Sequence, residues 1–544
     1  MMLDAENFLY WLKKAKKCSN DDNADLRIAV LGSYSIQHFV GVLRAMLNEK
    51  GLNVNIYEGH YNGIRMDVMD EESEFYKFNP NVVIMLPYYS DIVNRPVYFS
   101  SFDEVYKNVQ SNIDYYKILW DKISRLKGCH IFQSNFVLPI EDELGNLASN
   151  YIFSSSYFFQ LINMELTKCK PNNVTIVDCE RLASKIGKDS WFDHSAFFLN
   201  KAGFNIQYIG YCVALFVNQI LSLKGKSRKC LVLDLDNTIW GGIVGDVGAF
   251  GIQIDPNNAV GEAYRAFQNY ILKLKARGVI LAVCSKNDEE IAKSPFLEND
   301  NMILGMDDIS CFVANWEDKA SNINRIANEL NIGTDSLVFF DDNPAEREIV
   351  KKFLPEVEVI EVPEDPADYV SAMESVNPFD WIQLTKEDLS RSESYIQNHK
   401  RQEMQNICVD YDEYLKALQM SCCIRNVEGN DIDRFTQLIN KSNQFNLRTK
   451  RYSQADIDAM VNSEDYLCFS VELKDVFTNF GIISCVIIKK DADVCFIDTW
   501  VMSCRVLKRG VEHFVFNKIV EYVRSINRKI LIGEYRYGRL SGGE

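Results

Sequence analysis

Between residues 26 and 177 short apolar runs recur along the chain: LRIAVL at 26–31, VNIY at 54–57, VVIML at 82–86 and VTIV at 174–177. Runs of this length, rich in β-branched residues and without polar alternation, are the pattern of strands buried on both faces of a parallel sheet. After the first run, Ile36, Phe39, Val40, Leu43 and Leu47 repeat at helical spacing and Gly51 follows as a stop, which predicts a β-α-β beginning. A last helix, with Ile209, Cys212, Val213, Phe216 and Ile220 on one face, runs into the polar LSLKGKSRK. That change predicts a boundary near 225.

A second α/β pattern begins with CLVL at 230–233. The stripe Ala263, Phe267, Tyr270, Ile271 and Leu274 predicts a helix stopped by Gly278, with the strand VILAV at 279–283 directly after it. Ile323, Ile326, Ala327 and Leu330 predict another helix, and SLVFF at 336–340 the next strand. A Pro-rich acidic stretch from Pro355 to Asp368 and the polar DLSRSESYIQNHKRQEMQN then separate this unit from a third. The third unit mixes the strands YLCFSVEL, GIISCVII and VCFIDTWVM with a late helix after Gly510, an α+β order. The expected division is 1–225, 226–375, a helical linker at 376–407, and 408–544, and the fold class is multidomain α/β.

Composition narrows the chemistry. At 544 residues the chain is too long for one core. Hydrophobic residues at 47% and charged residues at 25% are those of a folded globular protein. Its 59 Lys and Arg against 76 Asp and Glu leave a net charge of −17, which disfavours nucleic acid and anionic membranes as partners. Fifteen cysteines without a C-x-x-C pair read as reduced thiols of a cytoplasmic protein, with neither a disulfide framework nor a zinc site. The opening MMLDAENFLYWLKK has Asp4 and Glu6 and no uninterrupted apolar core, so it is not the pattern of a signal peptide, and no apolar run approaches the ~18 residues of a membrane span.

The strongest chemical signal is CLVLDLDNTIWGG, where a strand delivers Asp234 and Asp236 two residues apart, with Thr238 beyond. One carboxylate of such a pair can attack phosphorus and bind a hard cation, while the other protonates the leaving alkoxide and activates water. Ser285, at the end of the next strand, offers a hydroxyl to a phosphoryl oxygen, and Lys319, at a helix start, a point charge for the transferring group. Asp341 and Asp342 in FFDDNPAERE complete an oxygen shell for magnesium. Any one of these is common as a turn, a cap or a solvated charge; four in order, each after a strand or at a helix start, form a phosphoryl-transfer constellation.

The pattern resembles the haloacid dehalogenase-like (HAD) superfamily of phosphatases. The longer wording LDLDNTIWGGIVGDVG, FQNYILKLKARGVILAVCSKND, NWEDKASNI and FFDDNPAERE, with SNQFNLRTKRYS and MSCRVLKRGVEHFV further on, resembles its FkbH-like branch. Members of that branch prime polyketide-type assembly lines with a glyceryl unit taken from 1,3-bisphosphoglycerate. The resemblance implies Asp234 as nucleophile, Asp236 as acid/base, Ser285 and Lys319 as phosphate binders, and Asp234, Asp236, Asp341 and Asp342 as the Mg2+ acids. It also implies an upstream SGNH-hydrolase-type domain of flavodoxin-like order, with Ser33 in LGSYS as candidate nucleophile. Because Asp193 and His194 are adjacent rather than three apart, the domain is expected to be a degenerate scaffold in which Ser33 caps the next helix.

The third unit resembles an acetyltransferase-like (GNAT) fold. Its phosphate-cradling loop corresponds to RVLKRG, with Arg505, Arg509 and Gly510 but Lys508 at a glycine position. The altered loop fits a pantetheine arm carried on an acyl carrier protein better than free acetyl-CoA. Cys504, beside Arg505, Lys508 and Arg509, is the candidate relay thiol, with a structural cysteine as the plain alternative. Asn443, Gln444, Asn446 and Arg448 form a polar loop expected near the same cleft, and the ending GEYRYGRLSGGE implies a domain shorter than its relatives. The expected function is Mg2+-dependent removal of phosphate from a phosphorylated glyceryl donor and loading of glyceryl onto a carrier protein. Two alternatives are a plain HAD phosphatase of another small ester, such as a surface-sugar precursor, and a non-enzymatic carrier-protein docking scaffold.

Overall fold

The computed structural model describes residues 8–24, 26–384, 386–389, 411–441, 445–491, 493–503, 506–507 and 509–534. It divides into two compact units, residues 1–220 with 452–457, and residues 221–451 with 458–544. The boundary expected near 225 falls close to this division. The second and third expected domains lie together in the second unit, and residues 385 and 390–407 of the expected linker lie outside the described residues.

In the first unit β1 (Leu26–Gly32), β2 (Val54–Glu58), β3 (Val82–Leu86), β4 (His130–Ser134) and β5 (Val174–Val177) form a parallel sheet in the order β2-β1-β3-β4-β5. Strand β1 thus lies between β2 and β3, the place where the connections change direction. β4 has no counterpart in the apolar pattern because HIFQS carries three buried polar side chains, His130, Gln133 and Ser134. Two of them have partners: Gln133 Oε1 accepts from Trp120 Nε1 at 2.7 Å and the His130 ring pairs with Thr175 Oγ1 at 2.9 Å, which offsets part of the cost of burying them in a strand. The stretch Ile206–Leu223 is long and apolar enough to cross a membrane by length and composition, beyond the runs that the pattern alone picked out. Half of it is buried in the unit, through a face that includes Cys212, Val213, Phe216 and Ile220.

The second unit begins with β6 (Cys230–Leu233), β7 (Ile280–Ser285), β8 (Cys311–Ala314), β9 (Leu337–Phe340) and β10 (Glu358–Val359), parallel in the order β10-β9-β6-β7-β8. Alternation along β6 and β9 splits the core. Leu231, Leu233, Val338 and Phe340 pack with Tyr264, Phe267 and Ile271 of the helix Ala259–Ala276, while Val232 and Phe339 pack with Ile323, Ile326 and Val350 on the other face. Asn258 caps that first helix by accepting from Val260 and Gly261 N–H groups. Gly278 ends the turn after it at φ 99°, and a Cβ there would meet the Asp388 carbonyl at 1.9 Å, so no larger residue fits.

The same unit carries a sheet of β11 (Ser421–Asn426), β12 (Phe445–Asn446), β13 (Tyr466–Lys474), β14 (Asn479–Lys490), β15 (Val494–Met502) and β16 (Ile530–Gly533). β11, β13, β14 and β15 are antiparallel neighbours. β16 adds to β15 in parallel after the helix Val511–Ser525, giving the α+β order expected of this region.

Candidate functional site

In the second sheet β6 lies between β7 and β9, with Leu233 opposite both Val283 and Phe340. The next residues of the three strands therefore meet at one carboxyl edge: Asp234 after β6, Ser285 ending β7, and Asp341 with Asp342 after β9. The Asp234 N–H extends the ladder to the Phe340 carbonyl at 3.0 Å, which sets its side chain over this edge. One oxygen each from Asp234, Asp341 and Asp342 lies within 4.8 Å of the others. Lys319 opens the helix Lys319–Glu329, whose N-terminus Asp318 caps through Ser321 N–H, and the fixed start aims its ammonium inward. Its Nζ is 2.5 Å from Asp341 Oδ2 and 3.0 Å from Asp234 Oδ1, at 2% exposure.

These groups perturb one another. Burial alone would pull the Lys319 ammonium down, but Asp234 and Asp341 together raise it, so it stays charged. The Asp341 carboxyl is pushed up to about 6, first by burial and then by the Asp234 charge, against the pull of Lys319. Burial and Asp234 likewise raise Asp342, whose Oδ1 pairs with the Thr238 hydroxyl at 3.3 Å. Asp234 Oδ1 is buried and receives no well-formed hydrogen bond despite the nearby ammonium. Three crowded carboxylates with one such oxygen fit a hard divalent cation with oxygen ligands. Ser285 is buried beside them, two residues before Asn287.

The expectation of four acids around the cation becomes three. Asn237 adopts a left-handed turn at φ 51°, and Asp236 forms a bridge to Trp240, so the Asp236 side chain turns into the segment that follows. Its Oδ1 accepts from Trp240 Nε1 and Val244 N–H, both at 2.9 Å, and its Oδ2 from Asn287 Nδ2 at 2.8 Å. This leaves Asp236 next to the edge, where an acid/base is needed, but outside the carboxylate group. Trp240, Asn287 and Arg347 were not singled out from sequence. Arg347 Nη1 donates to the carbonyls of Asp341 and Asp342, both at 2.8 Å, and pins the metal-side loop. Their only sequence signal is position, two residues past Ser285 or one turn past the paired aspartates.

The comparisons with known proteins agree with this geometry. The family described as FkbH, N-terminal domain, matches residues 27–221. The N-terminal part of the protein BF1531 from Bacteroides fragilis, a solved structure containing a phosphatase domain complexed with Mg, is 33% identical to this chain with a TM-score of 0.63. The match covers 69% of this chain and 99% of that one. This chain belongs to the FkbH-like HAD phosphatases. Ribosomal-protein-alanine N-acetyltransferases from Escherichia coli and Brucella melitensis each match over 22% of the FkbH-like chain, at 13% and 10% identity with TM-scores of 0.18 and 0.19. No curated protein sequence matches significantly.

In the first unit of this FkbH-like protein, Ser33 follows the last residue of β1 and donates to Asp91 Oδ2, which also accepts from Tyr88 N–H at 2.9 Å. Burial raises the Asp91 carboxyl and these two donors pull it back. Ser33 does not cap the next helix, which starts without a side-chain cap, and its own N–H is spent on the Leu86 carbonyl at 3.1 Å. Asp193 instead caps its own helix through Ala196 N–H, and His194 Nε2 lies 3.1 Å from Glu141. A triad through Asp193 and His194 is not assembled among the described residues.

In the C-terminal region Cys504, Arg505 and Lys508, and with them Asn443 and Gln444, lie outside the described residues. Gly510 takes φ 77° at the start of the helix Val511–Ser525, a conformation that glycine adopts without strain. Arg509 Nη1 is 3.6 Å from Asp475 and its guanidinium stacks over Phe480 at 5.4 Å, so this cation is held by the β13–β14 turn. Arg448 pairs with Asp498 at 3.0 Å, an acid shared with Lys450 at 2.8 Å, and Asn446 lies in β12.

Proposed function

We propose that this HAD phosphatase removes phosphate from a phosphorylated glyceryl donor, 1,3-bisphosphoglycerate or a close relative, and loads the glyceryl unit onto an acyl carrier protein in the cytoplasm. The observation that carries the phosphatase part is the buried Asp234, Asp341 and Asp342 group closed by Lys319. Mg2+ held by those three carboxylates would neutralise phosphoryl charge. The Asp234 carboxylate attacks phosphorus, and the bond from phosphorus to the leaving oxygen breaks. Asp236 supplies the proton to that oxygen and then takes one from the water that hydrolyses the aspartyl phosphate, which returns Asp234 and releases inorganic phosphate. Ser285 and Lys319 stabilise the transferring oxygens.

The carrier-loading part rests on resemblance in the C-terminal region and on the chemistry of Cys504 beside Arg505 and Lys508. Its thiolate attacks the acyl-phosphate carbonyl of the donor, the bond from that carbon to the phosphate oxygen breaks and inorganic phosphate leaves. The thioester then passes its acyl group to the carrier's pantetheine thiol with return of the Cys504 thiol, while Asp234 acts on the phosphate ester at the other end of the donor. Purified protein, 1,3-bisphosphoglycerate, magnesium and a panel of carrier proteins, read by phosphate release and intact mass, test both parts. Asp234→Asn should lower phosphate release by ~10³-fold or more. Cys504→Ser should keep phosphate release and stop carrier loading. Undiminished loading by the cysteine variant would point to direct transfer, and wild-type turnover by Asp234→Asn would defeat the phosphatase mechanism. Phosphate release with no carrier loaded across the panel would favour a plain phosphatase.

A further inference from the structure

Lys286 follows Ser285 at the carboxyl end of β7, and its Nζ lies 2.6 Å from Glu346 Oε1. Glu346 stands in the first turn of the helix Pro344–Phe353, directly after Asp341 and Asp342. The pair belongs to the surroundings of the reaction centre. Burial pushes the Cys284 thiol up to about 12, and the charges of Lys319, Asp234, Asp341 and Glu346 all act on that one thiol.

The neighbouring cations are committed. Lys319 serves two carboxylates, and Arg347 holds the backbone of Asp341 and Asp342. Lys286 has Glu346 as its partner among the described residues, and an ammonium carries three donors. Its side chain is 35% exposed, so the tip reaches solvent at the edge of the site. Glu346 Oε2, in contrast, is buried and receives no hydrogen bond, so the carboxylate grips the ammonium through one oxygen only.

We propose that Lys286 is a specificity residue that binds a second anionic group, a carboxylate or another phosphate, of an ester whose reacting phosphoryl group lies at Asp234. The proposal rests on the phosphatase reading above. A second anion entering this edge meets Asp234, Asp341, Asp342 and Glu346, all of its own sign. Lys286 can bridge Glu346 and that anion with donors it already has free, so an ester bearing one is retained where it would otherwise be repelled.

The test compares 3-phosphoglycerate with glycerol 3-phosphate, two esters that differ in a carboxylate, on the full chain with magnesium present. Turnover is read as phosphate release, and binding by calorimetry in an Asp234→Asn background. Lys286→Gln should lower the preference for 3-phosphoglycerate over glycerol 3-phosphate about tenfold or more in both readouts. Glu346→Gln keeps the ammonium and should preserve the preference. Equal weakening of both esters by Lys286→Gln, or a wild type with no preference for the carboxylate-bearing ester, overturns the assignment. Failure of the wild type to release phosphate from either ester counts against the phosphatase reading instead, and the binding ratio still decides the role of Lys286.

Discussion

Asp341→Asn removes one of three carboxylates packed within 4.8 Å of one another, with almost no change in volume. The Asp341 carboxyl sits at about 6 rather than 3.8 because burial and the Asp234 charge outweigh Lys319 at 2.5 Å. A shift of about two units corresponds to about 3 kcal/mol. Between about pH 4 and pH 6 the folded protein holds a proton that the unfolded chain has lost, so metal-free wild type loses stability as pH rises through that window. Asn is neutral throughout and escapes this loss. The stability of the variant relative to wild type should therefore climb by up to about 3 kcal/mol from pH 4 to pH 7, and then level off. Urea denaturation in chelator, taken as the difference between the two proteins so that carboxylates elsewhere cancel, measures it. Magnesium should reverse the ranking at neutral pH, since wild type offers the cation three carboxylates and the variant two. A difference that is flat with pH, or a variant that loses ground as pH rises, would refute the claim that burial and like charge dominate this group.

Two further outcomes separate the neighbouring roles. Asp236→Asn should lower turnover by about 10²–10⁴-fold while magnesium affinity, measured by calorimetric titration, holds; a parallel fall in affinity would return Asp236 to the metal shell. Ser33→Ala leaves a half-buried Asp91 short of one donor and should cost the first unit about 1 kcal/mol in denaturation, with phosphate release unchanged. An esterase activity of the wild type that this substitution abolishes would instead make Ser33 a nucleophile.

The chain's own pattern was sufficient for the α/β class, for three of the five strands in each of the first two sheets, read from runs of mostly apolar residues, and for marking Asp234, Ser285, Lys319, Asp341 and Asp342 as candidates at strand ends and a helix start. It also marked VTIV, the edge strand β5. These features are local: burial on both faces demands continuous apolar residues, and phosphoryl transfer demands particular side chains at strand ends. HIFQS escaped because its polar residues break the apolar run, and two of them, Gln133 and His130, take partners, Trp120 and Thr175, that only the folded chain brings near. Tertiary structure also decided which acids meet. Asp234 and Asp236 are two residues apart, yet one faces Asp341 and Lys319 across the sheet edge while a left-handed turn at Asn237 gives the other to Trp240, Val244 and Asn287. Ser33 shows the same limit, since its partner Asp91 comes from the turn Tyr89–Asp91 that follows the neighbouring strand β3, which the sequence did not single out. Sequence spacing sets what a residue can do chemically. The order in which strands lie side by side sets which residues do it together.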